Sequence, residues 1–353
     1  MSEDDITITP KSKRHRIGLF GPALACFVAF GAWSGYWFYI KDSITKQIDG
    51  RFTALQAAGY QVKHDPYAIR GYPYRMFVEL KNVTLIAPSG RGVAAPVFQA
   101  EANAYALDKW VMTAPQGLTL YRGHPAGVEL GSVAVTGSAL KASASGLTKP
   151  IYNIALQGTG LKLVPSDPTR PFVFTSADNF EAYVRPSKDT TDAADMLIRV
   201  SGAHGDPHSM VGDLSPEKPL SLHVEGTVAQ VSGFKGKDFA DGLKAWTASG
   251  GHMTGFQSEV IAGDLDVRAM SDAITLDQGG HLYGKVKVEM TGAFHPVAVL
   301  GALHLISPEN MTLAQPLLDM TLATQGTQKL KLDFHDGGAY IGPLKVSDAP
   351  ILP

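Results

Sequence analysis

The chain has 353 residues, 44% of them apolar and 18% charged, and its formal net charge is −2. That length allows one large domain or two ordinary ones, the composition argues against extended disorder, and the near-zero charge leaves no global basic field for nucleic acid. Its 37 Gly and 22 Pro suit many short strands and turns better than long helices.

The N-terminal region comes first. Residues 17–40 form a run of 24 positions without a charge. At about 1.5 Å per residue this run crosses a hydrocarbon core of about 30 Å. Lys11, Lys13, Arg14 and Arg16 precede it, whereas the charges after it (Lys41, Asp42, Lys46, Asp49) balance. The positive-inside rule therefore predicts a cytoplasmic tail over 1–16, a transmembrane helix over 17–40, and a main domain outside the inner membrane, in the periplasm. Trp33, Tyr36, Trp37 and Tyr39 cluster at the far end, where aromatic rings favour the membrane–water interface. With Arg14 and Arg16 they make up the expected membrane-anchor set.

A cleavable signal peptide would have a shorter apolar core and a small-residue cleavage site. Ala23-Leu24-Ala25-Cys26 could serve as a lipidation box, but the apolar run continues for 14 residues after it instead of turning polar. Cys26 is the one cysteine. No disulfide, four-thiolate metal site or Cys nucleophile is therefore available in the main domain.

Beyond the membrane, Ile44, Ile48, Phe52 and Leu55 fall at near-helical spacing, with Gly59 as C-cap. They predict a connecting helix over 41–59. From Tyr60 the period changes to two. In 75–85, Met76, Val78 and Leu80 alternate with Phe77, Glu79 and Lys81, and Val83 and Leu85 resume after Asn82. This reads as a half-buried strand with a bulge or bend. Similar runs recur at 97–107, 127–142, 151–164, 220–231, 259–270, 281–291 and 329–346. Strands every dozen or so residues predict antiparallel meanders rather than βαβ units. The fold class is therefore mainly β with a few helices, as meandering sheets that leave room for a groove or half-barrel.

Helices are expected at 239–248 and as a pair at 297–306 and 313–322, all apolar enough to pack on a sheet. Residues 186–218 are polar and turn-rich, which makes them the expected boundary between a first β-rich region, 60–190, and a second, 219–353.

Motifs that carry chemistry are few. The sequence has no Gly-x-Ser-x-Gly elbow, phosphate loop or His-Glu-x-x-His helix. Gly233-Phe234-Lys235-Gly236-Lys237 has the wrong spacing for a phosphate loop and reads as a basic turn. His204, Asp206 and His208 are the densest possible metal ligands, but Gly205 and Pro207 between them suggest a surface turn. Asp264 and Asp266, with Asp272 and Asp277 nearby, would suit acid–base work only if the fold made them converge. On a strand they read as a solvated face. No catalytic residue, metal site or cofactor follows. An antiparallel sheet with one apolar face must instead bury it, close on itself, or leave a groove suited to hydrocarbon.

Gly71-Tyr72-Pro73-Tyr74-Arg75 and Asp336-Gly337-Gly338-Ala339-Tyr340-Ile341-Gly342-Pro343-Leu344 carry a resemblance. With the anchor and short helix before them, they are similar to the DUF2125 family of α-proteobacterial envelope proteins. The resemblance implies structural roles: Gly71 and Pro73 set a turn before Arg75, and Gly342 and Pro343 re-aim a last strand. A further likeness, to AsmA-like envelope proteins, implies lipid handling. The expected function is thus a non-enzymatic, membrane-anchored envelope protein whose partners are the membrane, a lipid or other apolar ligand, and other envelope proteins. The alternatives are a protein-interaction scaffold and a hydrolase whose site forms only in the fold.

Overall fold

A computed structural model describes residues 16–124, 127–149, 151–207, 212, 218–236, 239–292 and 327–352. Its first element is a single unbroken helix, α1 (Arg16–Ala57), of 42 residues. The expected transmembrane and connecting helices are therefore one rod, about 63 Å long. Pro22 lies inside it, in the second turn, and forgoes the backbone bond to Gly18 without ending the helix. Gly59, at φ +89°, ends the helix as expected. Its N–H reaches Gln56 O at 3.0 Å and that of Tyr60 reaches Leu55 O at 3.0 Å, the paired bonds of a Schellman cap.

Among the described residues, the strands that follow form one antiparallel, 18-stranded sheet. It begins with β1 (Gln61–Lys63) and β2 (Ile69–Arg70), which pair with opposite ends of β3 (Arg75–Ile86). β3 pairs with β4 (Arg91–Asn103), and β4 then pairs with two shorter strands, β5 (Ala106–Thr113) and β6 (Leu118–Arg122). These continue into β8 (Ala139–Ser145) and β7 (Ser132–Thr136) respectively. β9 (Asn153–Pro165) spans both of them and so closes a split in the ladder.

From β9 the chain meanders one neighbour at a time through β10 (Phe174–Pro186), β11 (Ala193–Gly205), β12 (Leu220–Ala229), β13 (His252–Ala262), β14 (Leu265–Leu276) and β15 (Leu282–Thr291). It finishes with β16 (Gln328–His335), β17 (Gly338–Ile341) and β18 (Leu344–Asp348). The short helix α2 (Phe239–Ala248) lies where it was expected, between β12 and β13. The indole Nε1 of its buried Trp246 donates to Ala229 O at 2.7 Å.

Several expectations need correction. Residues 186–218, expected as a turn-rich boundary, contain β11, which bonds to both β10 and β12. Its apolar face (Met196, Ile198, Val200) is interleaved with Asp195 and Arg199, which mask the run in sequence. The stretch 259–270 is a hairpin rather than one strand, turning at Gly263 (φ +62°) and Asp264. Residues 127–142 and 329–346 likewise each hold more than one strand. The helix pair expected at 297–306 and 313–322 lies outside the described residues.

Asn82 makes the bend predicted in β3. It takes φ +49°, its side chain donates to Asp65 Oδ2 at 2.9 Å, and the pairing with β4 keeps its register on either side. The alternation shifts by one there, so Val83 continues the inward face that Met76, Val78 and Leu80 begin. At the C-terminus, Asp336 and Gly337 both take positive φ, and Gly342 follows at +59°. These are the conformations that two-residue hairpins require. Pro343 completes the turn between Ile341 and Leu344, a paired couple, so both expected C-terminal turn residues lie at a hairpin.

The sheet is strongly two-faced. Paired residues such as Phe180–Val200, Val200–Leu222, Val267–Met290 and Val288–Leu330 form an apolar stripe across one side. The opposite side carries cross-strand ion pairs, including Arg199–Glu181, Arg268–Glu259 and Lys329–Glu289. Exposed pairs of this kind stabilise little, but they keep that face wet and fix which side turns inward. Two cores result. One joins α1 to β2–β5 around Trp37 and Met76; the other covers the inner face from β7 to β18, around Val133, Met290 and Phe334.

Candidate apolar ligand cavity

Between the two cores the inner face is not filled. A cavity of about 670 Å³ lies across it from β3 to β11. Phe52 of α1, Val83, Leu85 and Phe98 wall it on the side of the first core. Leu118, Leu120, Leu161, Leu163, Phe174 and Phe180 wall it on the other. Alternation turns most of these residues inward, with a one-position shift at Asn82 in β3 and an irregularity after Phe174 in β10, so the cavity is lined by the face that a smaller sheet would pack shut. Lys141 is the one charged lining residue, and it is exposed. At the margin Val93 and Leu156 are 37% and 42% exposed, so apolar wall meets solvent there.

Protein interiors rarely leave voids larger than a few waters, and an apolar void of this size cannot be hydrated cheaply. The volume falls within the range that accommodates drug-sized ligands. Apart from Lys141, Gln157, Thr84 and Thr113, the lining is aliphatic, aromatic, methionine or glycine, a surface chemically matched to hydrocarbon.

A second cavity of about 620 Å³ lies at the ends of β8–β13 and is mixed in character. Its charges are already engaged: Arg185 Nε lies 3.2 Å from Asp195 Oδ2, and Thr227 Oγ1 donates to Asp195 Oδ1 at 3.0 Å. Burial pushes the Asp195 carboxyl up, but hydrogen bonds from Thr227, Ser187 and Arg185 outweigh it and hold the group below its ordinary value.

The carboxylates named for acid–base work do not meet in either cavity. Asp264 pairs with Lys218 at 2.9 Å, and that bond holds its carboxyl below the usual range. Asp266 pairs with Arg268 at 3.0 Å on the wet face. Asp272 sits 3.8 Å from Lys287. Asp277 accepts from the backbone N–H of His281 and of Gly279, and these bonds lower its pKa. Among the described residues, no three His, Cys, Asp or Glu side chains group to hold a metal ion. His204 lies near the end of β11, and His208 is outside the described residues.

The residues of the expected anchor separate into two sets. Tyr36 and Tyr39 are exposed on α1, at 42% and 70%. Trp33 and Trp37 instead face the Gly71–Arg75 turn: Trp33 Nε1 donates to Pro73 O at 2.9 Å and Trp37 Nε1 to Arg75 O at 3.1 Å. Ser34 Oγ lies 2.7 Å from the Tyr72 hydroxyl, and the Tyr72 ring meets Phe30, Trp37 and Phe38. Gly71 (φ +103°) closes the turn, with Arg75 N bonded to its carbonyl at 2.8 Å. A Cβ there would lie 2.7 Å from Arg75 O, so only Gly fits. Arg16 opens α1, and Arg14 lies outside the described residues. Helix α1 is long and apolar enough to cross a membrane, and almost all of its most apolar stretch is exposed.

The cavity residues were not singled out from the sequence. Their signal is the inward alternation of many separate strands, which shows an apolar face but not whether that face is filled. Residues 37–350 match the model of a family described as an uncharacterized protein conserved in bacteria, DUF2125. No curated protein matches the chain.

Proposed function

The chain belongs to the DUF2125 family, and from that premise we propose that it is a membrane-anchored, non-enzymatic protein of the bacterial envelope that binds an alkyl chain in the cavity between its two cores. The carrying observation is the cavity itself, about 670 Å³ with walls almost wholly of aliphatic and aromatic side chains. Each methylene moved from water into such a space contributes about 0.8 kcal/mol. A lipid tail is the ligand of this kind available beside a membrane. Helix α1 supplies the anchor, and the basic residues before it favour a cytoplasmic N-terminus with the sheet in the periplasm.

Native mass spectrometry of the full chain, extracted in mild detergent, tests this reading. Co-purified lipid should survive detergent exchange. It should be lost in Leu156→Glu and Val93→Glu, which set a charge on the exposed wall without emptying a core position. A lipid-free mass for the unsubstituted protein, with a stoichiometric protein partner captured by crosslinking, would overturn lipid binding in favour of a scaffold.

A further inference from the structure

The end of the sheet from which α1 emerges carries an unusual group of exposed rings. Tyr72 and Tyr74 on the turn before β3 are 42% and 66% exposed, and Tyr105 on the β4–β5 turn is 69% exposed. The two turns are tied together, because Ala104 N donates to Tyr74 O at 2.8 Å. The Tyr72 ring is seated on α1 through Phe30, Trp37 and Phe38. Nothing else among the described residues covers the outer faces of Tyr74 and Tyr105.

Length indicates what does. The apolar run of α1 starts at Ile17, and the helix meets its own domain from Phe30 onward, through Trp33 and Ser34. The free part, 17–29, is about 20 Å long at 1.5 Å per residue, short of the roughly 30 Å of a hydrocarbon core. Tilt only lowers its vertical reach. The domain therefore meets the helix at or slightly within the outer edge of the apolar layer. Tyr is a residue enriched at that depth. Exposed Arg70 directly precedes the turn, and Lys41 Nζ lies 6.0 Å from the centroid of the Trp37 ring.

We propose that the Gly71–Arg75 turn and the Tyr105 turn form a second membrane contact, with Tyr72, Tyr74 and Tyr105 lying in the outer headgroup layer around α1. This rests on the reading of α1 as a spanning anchor. The domain would then be held at a fixed angle to the bilayer, with the cavity, marked by Phe52, about 28 Å further along α1 than Trp33.

Site-directed spin labelling of the full chain in phosphatidylethanolamine–phosphatidylglycerol vesicles tests the contact. In a Cys26→Ser background, single nitroxides are placed by Phe27→Cys, Tyr74→Cys, Tyr105→Cys and Val128→Cys. Val128 is on an exposed loop at the opposite end of the sheet. Relaxation by dissolved oxygen and by an aqueous nickel chelate reports depth. The Phe27 label should be the deepest, the Val128 label should behave as in water, and the labels at positions 74 and 105 should shift to headgroup depth. A deep Phe27 label with aqueous labels at 74 and 105 would overturn the second contact and leave the anchor standing. An aqueous Phe27 label would overturn the anchor reading itself.

Discussion

The indole N–H of Trp37 points at the carbonyl oxygen of Arg75, 3.1 Å away, across a sequence separation of 38 residues. Trp37 is only 3% exposed, and its neighbour one turn earlier, Trp33, makes the equivalent bond to Pro73. Two indoles thus donate to carbonyls of the β2–β3 turn and of the first residue of β3, and they lock the rod to the start of that strand.

Trp37→Phe keeps an aromatic ring but removes the donor and part of the buried indole volume, and should cost about 1–2 kcal/mol. Trp37→Ala should cost about 3–5 kcal/mol, because it also empties a buried ring site. Denaturant unfolding of the full chain in detergent, followed by near-ultraviolet circular dichroism, measures both. Equal losses in the two variants would show that the ring contributes little.

Gly71→Ala must place a Cβ against the Arg75 carbonyl at a φ that L residues avoid. A loss of about 1–3 kcal/mol is expected. Gly50→Ala, inside α1 about two turns before its C-terminal end and with nothing within 4 Å of the new methyl, should instead stabilise by about 0.5–1 kcal/mol. The pair separates conformational strain from any general sensitivity to added methyls.

If the cavity binds an alkyl chain, affinity should track chain length with little dependence on the headgroup. Each methylene removed should weaken binding about fourfold, the equivalent of about 0.8 kcal/mol. Displacement of a fluorescent fatty acid by a series of shorter alcohols and acids gives the slope. A flat series would point to polar recognition elsewhere.

The hydroxyl of Tyr67 donates to Asp49 Oδ1 at 2.7 Å and ties the β1–β2 connection to α1. Burial first, then the bond to Asp49, raises its pKa above the ordinary value of 10.0. The folded state therefore holds this proton more tightly than the unfolded chain does. Its contribution is complete below pH 10 and declines as pH rises past that value toward the folded pKa. Thermal unfolding at pH 8–11 should show a steeper alkaline loss in the unsubstituted protein than in Tyr67→Phe.

Much of this architecture is legible without a structure because it depends on short-range physics. The uncharged run at 17–40, the Gly59 cap, the alternation in β3 and the α2 helix follow from periodicity and from residue conformational preferences. β11 was hidden because charged residues on its wet face alternate with apolar ones inside a segment rich in Asp-Pro and Ser-Pro punctuation. The hairpin at Gly263-Asp264 was hidden because its turn is only two residues long, although the inward face passes from Val260 and Ala262 to Leu265 and Val267, a one-position shift in the alternation.

By itself, then, the sequence determined the apolar helix, the β class, the two-faced strands and the Gly71–Arg75 turn, since each is set by residues within a few positions of one another. Tertiary structure alone decided that Trp33 and Trp37 bind that turn, that Asp264 and Asp266 take separate cationic partners, and that the inner face between β3 and β11 stays unfilled. Those outcomes depend on which distant strands pair and how far the sheet extends before its faces meet, and long-range packing of that kind leaves no local pattern in the chain.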